Sequence, residues 1–99
     1  MSDNETLNEI VLCDKISTFE RKILEGITKL KKCSNVVEIV RASFGENYDI
    51  DPILYKKFIE MFELSIKNLI ANEKIKICSE FKGKEGKVNI YTRFYQIKQ

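Results

Sequence analysis

The spacing of apolar residues changes near residue 73, and no other feature of this chain constrains its fold as strongly. Upstream, apolar residues recur every three or four positions, the period of one helix face. Downstream the period is two. Ile75, Ile77, Ser79 and Phe81 alternate with Lys74, Lys76, Cys78 and Glu80. Residues 87–98 are rich in β-branched and aromatic side chains (Val88, Ile90, Tyr91, Thr92, Phe94, Tyr95, Ile97). Lys82-Gly83-Lys84-Glu85-Gly86 between them is turn-rich. Two strands around a glycine-bearing connector of about five residues read as a β-hairpin. An isolated hairpin is marginal in water, so this one must pack on the helices. The predicted class is therefore α+β, with helices first and a two-stranded hairpin last.

The helical half divides into segments. Residues 7–14 carry Leu7, Ile10 and Val11 at helical spacing, although Ile10 to Cys13 could also form a short strand. Residues 1–6 are expected to fray. Ser17-Thr18-Phe19-Glu20 has the S-x-x-E form of a capping box. Phe19, Ile23, Ile27 and Leu30 continue from it as an amphipathic helix of about four turns. Ser34 or Asn35 can cap a shorter helix whose apolar face is Val36, Val37, Ile39, Val40 and Phe44, with Gly45 at its left-handed end. The acidic loop 46–51 lacks the central glycine and distant glutamate of a calcium loop, so it reads as a turn and cap. Asp51-Pro52 is an N-cap followed by proline at the first helical position. A long helix then runs to about Ala71, with Lys56, Lys57, Glu60, Glu63 and Lys67 on its outer side.

Ninety-nine residues make one domain, and no apolar run approaches the roughly 20 residues of a membrane-spanning helix. The first residues are polar and acidic, unlike a secretory leader. Cys13, Cys33 and Cys78 are odd in number and form no C-x-x-C pair, which argues against a disulfide framework or a zinc site. Reduced thiols in a cytoplasmic protein are the expectation. Net charge is +2, yet residues 1–51 carry 7 basic and 10 acidic side chains, while residues 52–99 carry 10 and 5. The positive excess lies after residue 73 and suggests a polyanionic partner for the C-terminal part.

The order helix, short helix, longer helix, hairpin is similar to that of winged-helix domains. Ile66-x-x-Leu69-Ile70-x-x-x-Lys74-Ile75 resembles the end of such a domain's recognition helix, and Phe81-Lys-Gly-Lys-Glu-Gly-Lys-Val88 resembles its wing. The run from Tyr48-Asp-Ile-Asp51 into a long helix that ends at a Gly-Lys-Val wing is similar in layout to small winged-helix proteins of archaea and their viruses. The resemblance covers residues 17–97, leaving 1–16 as an N-terminal extension to a domain at 17–99. It implies a non-enzymatic regulator that binds double-stranded DNA. Tyr55, Lys56 and Lys57 at the head of the long helix would approach base edges. Lys82, Lys84 and Lys87 on the wing would meet phosphates, with Arg93 extending the stripe. Together these residues are expected to form one continuous cationic surface. The long helix departs from the pattern in its length and in Glu60 and Glu63, which would repel phosphates.

A homodimer is expected, because two-fold symmetry doubles the contacts of a small domain. Residues 7–16 or the aromatic strand (Tyr91, Phe94, Tyr95) would supply its interface. The competing class is a winged helix used for protein–protein contact, favoured by the weak net charge. An enzyme is the third class, but the chain has no histidine, no phosphate-binding glycine loop and no nucleophile motif. Neither a cofactor, a metal, a small-molecule substrate nor a membrane partner is indicated.

Overall fold

The computed structural model describes residues 6–98. It is α+β, with four helices followed by a two-stranded antiparallel sheet. The helices are α1 (Leu7–Leu12), α2 (Ile16–Leu30), α3 (Val36–Phe44) and α4 (Tyr55–Ala71), and the strands are β1 (Ile75–Glu85) and β2 (Val88–Ile97). Among the described residues no helix is long and apolar enough to cross a membrane.

Residues 7–12 are helical, and the reason lies just before them. Thr6 accepts a hydrogen bond from the Glu9 N–H while the Glu9 carboxylate accepts one from the Thr6 N–H, a reciprocal cap. Thr6 therefore belongs to the folded unit, and the rest of the stretch expected to fray, residues 1–5, lies outside the described residues. Leu7, Ile10 and Val11 are buried in the same core as the other helices.

The start of α2 differs from the Ser17 capping box. After α1 the chain turns tightly at Asp14, where φ is +54°. The Lys15 N–H donates to Ile10 O and the Ile16 N–H to Asp14 O, so the chain is already helical at Ile16. Ser17 then lies within the first turn. Phe19, Ile23 and Ile27 are fully buried along one face of α2. Gly26 lies on that side too, where α2 and α3 cross so closely that an added Cβ would sit 3.0 Å from Ile39 O and overlap Ser43 Oγ.

Asn35, one of the two caps the sequence allowed, caps α3 in a reciprocal arrangement with Glu38, and Gly45 ends the helix at φ +107° and ψ 155°, extended rather than in the left-handed helical conformation expected of it. Asp51 caps a 3₁₀ turn at Pro52–Leu54 that leads into α4, so the long helix begins three residues after the proline. The Asp51 N–H also donates to Asn8 Oδ1 at 2.8 Å and ties this loop to α1.

The hairpin is longer and its turn tighter than the alternation implied. β1 runs on to Glu85, which pairs with Val88, leaving a two-residue turn of Gly86 and Lys87. Gly86 has φ +62°, the requirement at the first loop position of a hairpin turn of the II′ kind. A bulge between Ile77 and Ser79 shifts the register. Only the base of the ribbon is buried, through Ile75 and Tyr95, and the rest projects. Ser34 extends the sheet by one bridge, its N–H donating to Tyr95 O at 2.9 Å and its carbonyl accepting from the Tyr95 N–H at 2.7 Å.

The cysteines also depart from expectation. Cys33 and Cys78 form a disulfide across 45 positions of sequence, with Cα atoms 6.0 Å apart, and Cys13 is free and exposed. An odd count does not forbid one pair and one thiol. The bond brings the linker between α2 and α3 onto the bulge of β1. It also removes the reduced-thiol argument for a reducing compartment.

Candidate nucleic-acid interface

The register sets which side chains of the projecting ribbon share a face. Beyond the bulge, Glu80 lies opposite Arg93, Lys82 opposite Tyr91 and Lys84 opposite Asn89. Residues two apart on a strand point the same way, so these six form one face. Tyr91 is at its centre. Lys82 Nζ lies 5.5 Å from the Tyr91 ring centroid and the Arg93 guanidinium 5.2 Å from it. Arg93 Nε donates to Tyr91 Oη at 2.7 Å, and Tyr91 Oη donates to Glu80 Oε2 at 2.6 Å. Arg93 also pairs with Glu80 at 3.4 Å. The Tyr91 hydrogen bond, with Arg93 and Lys82 nearby, holds the Glu80 carboxyl below its ordinary range. Burial pushes the Tyr95 phenol up, partly offset by Arg93.

A groove of about 740 Å³ runs between this face of the ribbon and α4. Tyr91, Arg93 and Tyr95 line one wall, Ile59, Ile66 and Ile70 of α4 the other, and Val36 and Val37 of α3 close one end. Glu63 and Lys67 are the charged residues that α4 contributes there. The lining is mostly apolar, with Arg93 as the charged residue on the ribbon side.

The nominated residues divide into two groups. Lys82, Lys84 and Arg93 share the ribbon face and Lys87 sits in the turn, all exposed. Tyr55, at the head of α4, is about half exposed, with its ring 6.1 Å from Phe58. Lys56 and Lys57 lie elsewhere. They line a shallow concavity with Asp14, Ile16 and Glu60, on the flank of α4 toward the α1–α2 junction. Lys57 Nζ pairs with Asp14 Oδ1 at 3.1 Å and donates to Leu12 O at 3.3 Å. Neither Lys56 nor Lys57 therefore borders the groove that Tyr91 and Arg93 line, and Lys57 is engaged by Asp14.

Two residues of the groove were not nominated from sequence as nucleic-acid contacts. Lys67 reads as an ordinary outer-face lysine, and only the packing of α4 against the hairpin shows that it lines the same groove as Tyr91 and Arg93. Tyr91 reads as an interface aromatic, and its position under two cations depends on a register that the bulge displaces. The dimer surfaces suggested by sequence are also partly used internally, since Leu7, Ile10, Val11 and Tyr95 are core residues.

No family model, no curated protein and no solved structure matches the chain.

Proposed function

We propose that this chain is a winged-helix domain that binds double-stranded DNA without enzymatic activity, led by its wing rather than by its long helix. The element order supports this reading, with α2, α3 and α4 as the trihelical core and β1–β2 as the wing. The Ser34–Tyr95 bridge ties the linker between α2 and α3 to the second strand of that hairpin. The observation that carries the function is the sharing of one exposed ribbon face by Lys82, Lys84 and Arg93. Ammonium and guanidinium groups spaced along a strand can neutralise successive phosphates and release their counterions. Tyr91 holds Lys82 and Arg93 to that face, so less side-chain freedom is lost on binding. Lys87 at the turn and Lys67 on the facing helix extend the contact.

The outer side of α4 carries Lys56, Glu60, Glu63 and Lys67, a mixture unsuited to lying along a phosphate backbone. Phosphate contacts position a protein and base contacts specify. The contact proposed here is mainly of the first kind, with Tyr55 left to reach a base edge. A protein partner is the second reading, favoured by the apolar lining of the groove at Val37, Ile59 and Ile70.

The test is duplex binding over a range of salt concentrations. Lys82→Glu combined with Lys84→Glu should weaken binding to all sequences and flatten the salt slope by about one per lost contact. Lys57→Ala, whose ammonium is engaged by Asp14, should leave that slope unchanged. Equal salt dependence for the parent and the double variant rejects the wing as a phosphate contact, and failure of the parent to bind DNA at low salt favours the protein-partner reading.

A further inference from the structure

The opposite face of the ribbon has a different chemistry. There Ser79 lies across from Phe94, Phe81 from Thr92, Gly83 from Ile90 and Glu85 from Val88. Phe81 is 56% exposed and Val88 65%. The Phe81 ring lies along Gly83, where an added Cβ would come within 3.0 Å of it. A ribbon with a cationic side and an exposed aromatic and aliphatic side has a second surface that phosphate contact leaves uncovered. Charge on this second side is confined to its ends. Glu85 stands beside the turn, and Lys76 stands at the base, in a concavity with Lys31 and Lys32.

We propose that this apolar face is the contact between two copies of the chain, packed ribbon on ribbon about a two-fold axis near Phe81. An isologous contact must be complementary to itself. Phe81 lies midway along the ladder, four pairs from Lys76–Gln96 and four from Glu85–Val88, because the bulge absorbs one residue. When two such faces are laid together with their directions opposed, Phe81 of one copy meets Phe81 of the other. The acidic tip of each then falls on the basic base of its mate. The parallel arrangement would stack Glu85 on Glu85 and Lys76 on Lys76, which like-charge repulsion disfavours. The face is narrow, so the dimer belongs to the class of weak associations that bury under about 1,200 Å² in total. The cationic sides then point outward, away from each other.

Sedimentation velocity of the full chain, without nucleic acid and up to millimolar concentration, tests this independently of any DNA contact. The parent should show a concentration-dependent dimer. Phe81→Glu should raise its dissociation constant by about tenfold or more. Far-UV circular dichroism should be unchanged, because the side chain lies outside the core; Phe81→Ser, which adds no charge, should act in the same direction. Glu85→Lys should also weaken the dimer, and adding Lys76→Glu to it should restore association. A parent that stays monomeric at every concentration overturns the proposal, as does a Phe81→Glu chain that dimerises like the parent. A double swap that recovers nothing overturns the opposed two-fold packing.

Discussion

Gly26 shows how one position can fix the distance between two helices. A glycine in a helix interior costs about 1 kcal/mol relative to alanine. Here it lies at the crossing of α2 and α3, against Ile39 O and Ser43, whose hydroxyl donates to that same carbonyl at 2.7 Å. A methyl group would press on backbone as well as side chain, and forced overpacking costs typically about 1–3 kcal/mol. Gly26→Ala should therefore lower the unfolding free energy despite its better helix propensity. Chemical denaturation checks this, and a stabilised variant would show that α2 and α3 can part without loss. The sequence displays the apolar stripe on each side of this glycine, but it does not tell which partner that stripe meets.

At the scale of elements, the start of α3 and the turn into α4 were legible, because Asn35, Asp51 and Pro52 act on backbone within a few residues of themselves. Longer-range geometry was not. The turn at Asp14 moves the start of α2, and the bulge beside Cys78 resets every pair above it. The glycine in the expected connector that proved part of a strand, Gly83, lies under a phenyl ring instead of making a turn. The candidate site inherits this division: the cations of the ribbon were visible in the sequence, while the placing of Lys82 and Arg93 on Tyr91 required the register. The cap of α3 also carries a pH dependence. The Lys32 ammonium, at 2.8 Å, and then the Asn35 N–H hold the Glu38 carboxyl below its ordinary range. A carboxylate depressed in the folded state contributes stability above its unfolded pKa, and that contribution is lost as pH falls through the folded value. Glu38→Gln can still accept from Asn35 but loses the ion pair. It should be less stable than the parent at neutral pH by under about 1 kcal/mol, as for other exposed pairs. Denaturation at pH 7 and pH 3 should show the gap closing in acid. A constant gap would assign the effect to the cap alone.

For the whole molecule, the Cys33–Cys78 bond links the helical layer to the ribbon at the point where the ribbon leaves the core. Closing a loop of 45 residues restricts the unfolded chain, and such bonds typically contribute about 2–4 kcal/mol. Reduction, or Cys78→Ser, should lower the unfolding free energy by that amount. Denaturation with and without a dithiol measures it, and coincident curves would mean that the packing of Ile75 and Tyr95 suffices. This pairing escaped the sequence because parity and local spacing describe frameworks of many bridges, whereas a single long-range bridge is a matter of where two distant segments meet. The closure also makes a ring that encloses α3, α4 and the exposed loop between them. A protease that cuts that loop once opens the ring without releasing either half. On an oxidised gel the clipped protein would migrate near the intact chain, and it would separate into two fragments only after the bridge is reduced.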